Sequence, residues 1–364
     1  MRSISASIFI IVTILIAVGI VMIYSASAMH GHEKMGDSLY FLKRHLIYVA
    51  MGYITMFFCM LINVNILRAL SKPIVIISAG LLVLVLVPGL GREISGARRW
   101  FSFGPITFQP SELSKIALII YIADLAARKE RGIRNFFSGY LPPLMVMGLC
   151  VGLVLLEPDL GTAIDMAAVV FLMLFAAGAG VPHIMLTMLS SIPVLYVLLF
   201  RVPYRRRRLL IFLDPWADRR GAGFQIIQSL IALGSGGLIG VGLGQSKQKL
   251  FYLPEAYTDF IFSIIGEELG FIGAVAVVLL FALFVWQGMR VSFSSQEAFG
   301  RIMSFGVVSM IALEAIINIG VTIGIFPTKG LPLPFVSYGG TSLVFHMTAV
   351  GLLLNISKRC EVTR

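Results

Sequence analysis

Charged residues are scarce in this sequence: they make up 13% of its 364 residues, whereas hydrophobic residues make up 58%. A soluble domain usually carries about 25% charged residues, so the composition excludes a soluble globular fold. The apolar residues stand in continuous runs, which excludes a transmembrane β-barrel, whose strands alternate over ~10 residues. Runs of about 20 apolar residues recur along the chain, each long enough to cross a ~30 Å hydrocarbon core as a helix. We therefore predict an all-α polytopic membrane protein.

Cysteine is also rare. The three cysteines, Cys59, Cys150 and Cys360, are far apart, and two of them lie inside apolar runs. Neither a disulfide framework nor a cysteine metal site is indicated. The first apolar run, 8–24, follows a single basic residue, and the "YSAS" at its end is similar to a signal-peptide cleavage site. Because nine more apolar runs follow, we interpret it as a retained first span.

Acidic residues are outnumbered, 18 against 29 Lys and Arg, which gives a formal net charge of +11. Nothing in the sequence indicates a nucleic-acid partner. In a membrane protein an excess of positive charge faces lipid headgroups, sets the topology or binds an anionic substrate. We expect the charge to serve one of these three roles.

Ten apolar runs are long enough to be the spans of one transmembrane domain that covers residues 1–364. An even number of spans places both termini on one side of the membrane. The short loops of that side carry basic residues such as Arg68, Lys72 and Arg128, which predicts that both termini are cytoplasmic. The predicted spans are 7–26, 45–62, 73–90, 111–127, 140–157, 160–179, 183–200, 259–287, 302–326 and 337–356.

The large loop between spans 7 and 8, residues 201–258, is then external, although it is rich in Arg and Lys. The positive-inside rule is counted over loops of up to about 60 residues, and this loop lies at that limit. Basic charge placed against the rule needs another reason, and substrate binding supplies one. The amphipathic part of the loop, 224–249, suits a position along the membrane surface. Its glycines favour a flexible or re-entrant connector over a phosphate-binding loop, because no strand precedes them and "GKS" or "GKT" is missing.

The stretch "LPEAYTDFIFSIIGEELG", 253–270, brings four carboxylates into an apolar run: Glu255, Asp259, Glu267 and Glu268. Asp259 lies near the outer mouth of span 8. Glu255 and Asp259 share a face if the helix already runs there, and either carboxylate also suits a helix N-terminal cap. Glu267 and Glu268 lie roughly 12–13 Å deeper along a helix, where pairing within the bundle is the more typical role of a charge.

A second junction between a loop and a span, "RRWFSFGPITFQPSELSK" at 98–115, lies on the same predicted side. The pattern predicts that Pro110 is the first helical residue and that Glu112 lies in the first turn. Lys115 falls on the same face as Glu112, and a lysine at this depth requires a counter-ion or an aqueous cavity. Arg99 precedes them beside a tryptophan, where it either binds an anion or anchors the chain at the interface.

The sequence "EPDLG" at 157–161 predicts a tight external hairpin in which Asp159 caps the following helix. Other polar residues inside predicted spans are Asp165, Glu314, Asn318 and His346. A lone histidine in an apolar span, such as His346, is more often packed and hydrogen-bonded than a metal ligand.

Together these residues predict an external cavity with arginines and a lysine beside a carboxylate at membrane depth. A carboxylate is suited to remove the proton of a sugar hydroxyl as its oxygen attacks. Cations stabilise the negative charge that grows on a departing pyrophosphate. A divalent cation, Mg²⁺ or Mn²⁺, is able to bridge the pyrophosphate oxygens, but no ligand cluster in the sequence indicates one. The expected substrate is a phosphate-bearing lipid whose reacting end projects outside the bilayer.

Several motifs carry a resemblance to a known family: "ARRW", "FQPSELSK", "EPDLGTA", "YRRRRLLIFLDPW", "GAGFQIIQSLIALGSGGLIGVGLGQS", "FYLPEAYTDFIFSIIGEELG" and "PTKGLPLPFVSYGGTSL". Over essentially its full length the chain resembles the SEDS family (shape, elongation, division, sporulation), the bacterial FtsW and RodA proteins. The combination of "KLFYLPEA" with "PTKGL" is more similar to the division protein FtsW than to RodA.

The resemblance implies a ten-span fold and a peptidoglycan glycosyltransferase that polymerises lipid II on the outer face of the cytoplasmic membrane. Matched by motif, Asp259 in "TDFIF" is the implied catalytic carboxylate. Arg99 in "RRW" and Lys115 in "QPSELSK" match the basic residues expected at the donor pyrophosphate.

Other substrate-binding candidates follow from the same motifs. Glu112 and Arg208 lie in matched motifs, and Glu255, on the loop side, either caps the helix or orients the acceptor. Division proteins of the family often read "EAHTDF", and in this sequence Tyr257 stands in place of the His. A phenol cannot act as a near-neutral base, so any proton transfer by that His is performed otherwise.

The implied partners are a class B penicillin-binding protein with a single span, which would supply the transpeptidase that this chain lacks, and other division proteins. The alternative function is a transporter that moves lipid II across the membrane. Transporters often show internal repeats with broken helices in matching halves. No such repeat is visible here, and the polar residues crowd one face, which favours the enzyme.

Overall fold

The computed structural model describes residues 2–94, 97–104, 106–130, 132–219, 221, 223–250 and 252–362. Residues 220, 222 and 251 of the predicted external loop lie outside the described residues. The α-helices are α1 (Arg2–Met35), α2 (Tyr40–Leu61), α3 (Val64–Ala69), α4 (Ser71–Leu86), α5 (Pro110–Arg128), α6 (Leu141–Leu156), α7 (Leu160–Ala176), α8 (Val181–Phe200), α9 (Pro203–Leu213), α10 (Phe224–Ser235), α11 (Ile261–Ser294), α12 (Ala298–Thr322) and α13 (Gly340–Val362). A π-helical turn, Phe136–Tyr140, precedes α6, and a 3-10 turn, Pro215–Asp218, follows α9.

Each predicted span coincides with one of these helices. Within the described residues, seven helices are long and apolar enough to cross a membrane: α1, α2, α6 with its π-turn, α8, α11, α12 and α13. Helices α4 and α7 are apolar but shorter, with 16 and 17 residues. Helix α5 has 19 residues and carries several charges. The prediction of an α-helical, multi-pass membrane protein is confirmed, and the count of ten spans stays a prediction.

Helices α5 and α12 lie at the centre of the bundle. Most side chains of both are buried, including polar ones, because each is packed on several sides by other helices. Helix α8 is the opposite case: of its 20 residues only Ile184 is buried. A helix that is apolar all round and not packed by protein suits contact with lipid.

Both ends of the chain lie at one end of the bundle. The hydroxyl groups of Ser5 at the start of α1 and Ser357 near the end of α13 are 2.8 Å apart. At the same end, Asn355 donates hydrogen bonds to the backbone oxygens of Cys59 and Ile62. Which side of the membrane this end faces stays a prediction.

A small antiparallel sheet lies between α4 and α5, and the sequence did not predict it. Strands β1 (Arg92–Ile94), β2 (Ala97–Phe103) and β3 (Ile106–Phe108) pair in the order β1-β2-β3. The sheet is fixed to the bundle through Thr107, which donates its N–H to Tyr48 and accepts a hydrogen bond from Thr341. Helix α5 begins directly after it at Pro110, as predicted. The sheet therefore sets the position of Arg99 relative to the bundle.

Helix α11 is broken at Gly270, which adopts φ 70°, a conformation open to glycine. The break frees backbone groups, and a glycine-rich segment, 237–242, bonds them. Phe271 and Ile272 donate hydrogen bonds to the backbone oxygens of Gly237 and Leu238. The backbone oxygens of Glu267 and Glu268 accept hydrogen bonds from the N–H groups of residues 241 and 242. Added Cβ atoms at Gly240 or Gly270 would collide with this backbone. The glycines thus form a connector that packs back into the bundle, not a phosphate-binding loop.

Glu267 and Glu268 face the segment that follows these glycines. Glu267 accepts hydrogen bonds from the Ser246 hydroxyl and from the N–H of Lys247. Glu268 pairs with the Lys249 ammonium at 2.8 Å and accepts a hydrogen bond from Ser25 of α1. The prediction that these two carboxylates pair within the bundle is confirmed.

Candidate active site

Asp259 is presented by a tight turn that ends just before α11. The backbone oxygen of Glu255 accepts hydrogen bonds from the N–H groups of Thr258, Asp259 and Phe260, at 3.1–3.2 Å. Glu255 itself adopts φ 56°, in the left-handed region. Helix α11 begins only at Ile261, so the condition under which Glu255 and Asp259 would share a helical face is not met. Of the two alternatives for Glu255, capping of the helix is not found: its side chain accepts a hydrogen bond from Thr258 instead.

The turn is connected to the loop 327–331, which carries the sequence "PTKGL". Asn318 of α12 donates one hydrogen bond to the backbone oxygen of Asp259, at 2.9 Å, and a second to that of Leu331, at 2.7 Å. A Cβ added to Gly330 would lie 3.2 Å from a carboxylate oxygen of Asp259. The absence of a side chain at Gly330 thus lets the loop approach the carboxylate closely.

The Asp259 carboxyl group is set back from solvent and accepts no hydrogen bond from any residue that the structure describes. Burial raises the pKa of Asp259 to about 7, with the nearby charges of Glu255 and Asp159 acting in the same direction and Arg208 acting against them. A carboxyl group with a pKa near neutrality is divided between its acid and base forms at working pH, as a general base requires.

Arg208 of α9 approaches the same loop. Its guanidinium lies 3.3 Å from the backbone oxygen of Thr328 and 4.4 Å from the ring centre of Tyr204. Its charge acts on Asp259. The structure therefore brings Arg208 and Asp259, which are 51 residues apart in the sequence, to one site.

Arg99 projects from β2 onto the 157–161 hairpin. It donates hydrogen bonds to the backbone oxygens of Glu157, at 2.9 Å, and Pro158, at 2.8 Å, and its guanidinium lies 3.6 Å from the Asp159 carboxylate. Asp159 in turn accepts from the N–H of Thr162 and caps α7, as predicted. Arg99 thus fixes the hairpin, and each of its three guanidinium nitrogens has a partner within the chain.

Lys115 is buried between carboxylates, not at a solvent-filled cavity. Its ammonium lies 3.0 Å from Glu112, as the shared helical face predicted, and 2.5 Å from Glu314 of α12. Glu314 also contacts His346 of α13, which is hydrogen-bonded to Ser342. We call Glu112, Lys115, Glu314 and His346 the inner ion cluster. Each of its members is at least 95% buried, so the pyrophosphate role implied for Lys115 stays a prediction.

Lys329 lies in the loop that approaches Asp259, and it was not singled out from the sequence. It precedes Gly330 in the 327–331 loop, and Gly161 of the hairpin packs near its side chain. The carboxylates of Asp165 and Asp159 act on its charge. The signals in the sequence were its place in the motif "PTKGL" and in a short loop after a span that carries Glu314 and Asn318.

Tyr257 packs in an aromatic group beside the turn. Its ring centre lies 4.8 Å from that of Phe41, 5.6 Å from that of His30 and 5.9 Å from that of Tyr338. Burial raises the pKa of Tyr257 to about 12, with Glu255 and Tyr338 adding to the shift. A phenol this weakly acidic cannot replace a histidine in proton transfer, which leaves Asp259 as the candidate base.

The expected divalent cation has no binding site made of protein side chains alone in the described part of the chain. No three His, Cys, Asp or Glu side chains there approach closely enough to hold a metal ion.

At this end of the bundle, then, the near-neutral carboxyl group of Asp259 lies within reach of the charge of Arg208 and against the 327–331 loop, which carries Lys329. Such a site is able to remove a proton from a hydroxyl group while cations stabilise an anionic leaving group.

A model of the FtsW, RodA and SpoVE family, described as cell cycle protein, matches residues 5–361. The probable peptidoglycan glycosyltransferase FtsW of Geobacter metallireducens is 46% identical over 345 residues, which cover 95% of this chain and 92% of that protein. Stage V sporulation protein E of Bacillus subtilis is 44% identical and covers 96% of this chain and 95% of that one.

Two solved structures have the same fold. One comes from a study of how a peptidoglycan synthase complex coordinates polymerization and crosslinking; it aligns with a TM-score of 0.80 at 31% identity over 97% of both chains. The other, the rod shape determining protein RodA of Thermus thermophilus, aligns with a TM-score of 0.71 at 28% identity over 96% of this chain and 95% of that one.

Proposed function

Because the chain belongs to the FtsW, RodA and SpoVE family of cell cycle proteins, we propose that it is a peptidoglycan glycosyltransferase that polymerises lipid II during cell division. The resemblance inferred from the motifs is confirmed by the family match. Relatives named FtsW favour the division role, and a sporulation protein is nearly as similar. The observation that carries the proposal is the carboxyl group of Asp259, with a pKa of about 7, which the charge of Arg208 reaches and against which Gly330 of the 327–331 loop packs.

In the proposed reaction, the 4-hydroxyl of an acceptor lipid II attacks the anomeric carbon of the donor muramyl sugar. A bond forms between this oxygen and the anomeric carbon, and the bond from that carbon to the pyrophosphate oxygen breaks. The Asp259 carboxylate takes the hydroxyl proton, and undecaprenyl pyrophosphate leaves with the bonding electron pair. Arg208 opposes the negative charge on the leaving group.

The other motif-implied residues support this site in the proposal. Arg99 holds the 157–161 hairpin, and Glu112 and Lys115 hold α5 against α12. A direct role for Arg99 or Lys115 at the pyrophosphate requires that substrate displace the partners described above. Glu255 is exposed beside the turn, where its side chain is available to orient the acceptor.

The direct test is polymerisation of lipid II by the purified protein in detergent or nanodiscs, with glycan products separated on a gel. We expect strands of several disaccharides. Lipid II consumption without strands, or no consumption in the presence and absence of candidate transpeptidases, would contradict the proposal.

A transporter of lipid II is the second candidate, and one observation favours it: α11 is discontinuous, as helices at transporter binding sites often are. The backbone N–H and C=O groups that this break frees are hydrogen-bonded to the 237–242 segment. They are therefore not available to bind the headgroup of a transported lipid. Movement of labelled lipid II across proteoliposomes without strand formation would favour the transporter.

The proposed site lies on the outer face of the cytoplasmic membrane, with both termini cytoplasmic and the 201–258 loop external. Gln245 in this loop is exposed, whereas the neighbouring Ser246 is buried. A cysteine at Gln245, with Cys360 changed to serine, should react with an impermeant maleimide in intact cells. A cysteine at Lys129, in a loop at the other end, should react only after permeabilisation. The reverse pattern would invert the topology.

The proposed partner is a class B penicillin-binding protein with one span, together with other division proteins. The solved relative from a synthase complex in which polymerization and crosslinking are coordinated supports such an assembly. Co-purification of this protein with the transpeptidase, and a higher polymerisation rate in the pair, are the expected results. An unchanged rate would argue against activation by the partner.

A further inference from the structure

The cations considered for the site differ in how many hydrogen-bond and ion-pair partners they already have within the chain. Arg99 bonds two backbone oxygens and lies beside the Asp159 carboxylate. Lys115 lies between two carboxylates in the inner ion cluster. Arg208 contacts one backbone oxygen and the face of Tyr204. A substrate anion would have to displace a partner to bind Arg99 or Lys115.

Lys329 is different. Among the described residues its ammonium makes no hydrogen bond and no ion pair within 4.0 Å; the charges of Asp165 and Asp159 act on it only from farther away. The side chain is half-buried. Burial lowers the pKa of Lys329, and the two carboxylates act in the opposite direction. A cation that has lost water without gaining a close partner is unfavourable in the free protein, and an arriving anion removes that penalty.

The position of Lys329 is fixed by its neighbours. Gly330 lies against the Asp259 carboxylate, and Asn318 bonds Leu331 on one side and the Asp259 turn on the other. Arg208 contacts Thr328. The loop is therefore held to the base-bearing turn and to α9 on both sides of Lys329. The backbone of Lys329 is thereby held on the loop that approaches both Asp259 and Arg208, and this keeps an anion bound by its side chain at the same end of the bundle.

We propose that Lys329 binds the pyrophosphate of the lipid-linked donor and neutralises it as it leaves. This inference rests on the proposed function, because it assigns a residue to the leaving group of that reaction. Lys329 contributes a point charge that follows the flexible pyrophosphate, and Arg208 contributes a planar donor set. No proton needs to pass through Lys329, since Asp259 takes the only proton released.

The test uses purified full-length protein in detergent and two probes, undecaprenyl pyrophosphate and uncharged undecaprenol, with binding followed by thermophoresis. Lys329→Met should weaken binding of the pyrophosphate about 10- to 100-fold, the range for a charge-assisted hydrogen bond, and leave undecaprenol binding unchanged. Lys329→Arg should retain most of the affinity. Lys34→Met, which removes one exposed positive charge at the end of α1, is the matched control and should bind both probes like the parent.

A purely structural role for Lys329 predicts that Lys329→Met lowers the melting temperature. The proposal predicts otherwise: because the charge has no close partner, Lys329→Met should melt at the parental temperature or higher. A fall in melting temperature with unchanged pyrophosphate affinity would overturn the proposal, as would equal weakening of both probes.

Failure of the inference and failure of the proposed function are distinguishable. If the parent polymerises lipid II and Lys329→Met binds pyrophosphate and polymerises equally well, the inference is wrong and the function stands. If Lys329→Met loses pyrophosphate binding but the parent forms no glycan strands, Lys329 is a pyrophosphate ligand in a protein with another function.

Discussion

Lys115 and Lys329 are both set back from solvent, yet they lie in opposite surroundings. The inner ion cluster around Lys115 is closed, because each ammonium or carboxylate there has a partner within the chain. At the site end, the Asp259 carboxyl group and the Lys329 ammonium have none among the described residues, and the loop that carries Lys329 approaches the Asp259 carboxylate through Gly330. Charges with internal partners stabilise the bundle, and charges held apart from partners are available to a substrate.

The four carboxylates of 253–270 divide in the same way. Glu267 and Glu268 are fixed by the segment 246–249. Within the described part of the chain, Asp259 is held by hydrogen bonds to its backbone and not to its carboxylate, and Glu255 remains exposed. Changes to the first two should therefore alter stability, and changes at Asp259 should alter the reaction.

The largest expected effect is that of Asp259→Asn. It keeps the size of the side chain and removes the basic oxygen, so polymerisation should fall by about 10²–10⁴-fold. The folded protein retains the Asp259 proton up to a pH near 7, whereas the unfolded chain loses it at lower pH. Ionisation of this group therefore lowers stability at higher pH, and Asp259→Asn should melt at the parental temperature or above at pH 8.

Glu268→Gln is the matched control for that change. It leaves the Lys249 ammonium buried without its counter-ion, so it should lower the melting temperature while the folded fraction polymerises lipid II near the parental rate. If Glu268→Gln abolished the rate in well-folded protein, the division of the carboxylates would be wrong.

The second-largest expected effect is that of Lys115→Met, which should lower the stability of the folded protein. Breaking a buried ion pair by removing one partner typically destabilises by about 3–5 kcal/mol, and the carboxylates of Glu112 and Glu314 would be left facing each other. The comparison predicts a large fall in melting temperature and a smaller rise in KM for lipid II than Lys329→Met produces. A KM raised more in Lys115→Met than in Lys329→Met would favour the motif-implied pyrophosphate role of Lys115.

Asn318→Ala tests whether the link between the turn and the 327–331 loop positions the base. It leaves two backbone oxygens without a donor, which destabilises by about 1–3 kcal/mol, and kcat should fall by up to about 10²-fold because misplacement of a catalytic group is costly. Asn355→Ala removes an equivalent pair of hydrogen bonds at the opposite end of the bundle. It should lower stability similarly and leave kcat unchanged.

Much of the helical framework could be predicted from the sequence. Long apolar runs specify helices locally, and helix starts are read from single residues such as Pro110, the first residue of α5, and Asp159, the cap of α7. The pairing of Glu112 with Lys115 follows from helical spacing. These features depend only on residues near each other in the chain.

The site was predicted less completely, because it is assembled from loops. Gly330 and Asp259 meet through a close backbone approach that no local pattern encodes. Glu255 adopts a left-handed conformation that is uncommon for a residue other than glycine, so the sequence could not decide whether the helix already runs there. The strands of the small sheet β1-β2-β3 are short, so their sequence pattern is not distinct from that of the long apolar runs beside them.

The smallest expected effect is that of Glu255→Gln. Removing this charge takes away one of the influences that raise the pKa of Asp259, so the acid limb of the pH–rate profile should move to lower pH with little change in the maximal rate. A large fall in rate at every pH would instead indicate that Glu255 contacts the acceptor.

The most direct measurement is the pH dependence of kcat for lipid II polymerisation by the parent protein in nanodiscs. A base acts in its ionised form, so the rate should rise with pH through an apparent pKa near 7, the value of the Asp259 carboxyl group, and then level off. The residual activity of Asp259→Asn should not show this rise of the rate with pH. A parental rate that is constant between pH 5 and 8, or an identical limb in Asp259→Asn, would contradict the assignment of Asp259 as the base.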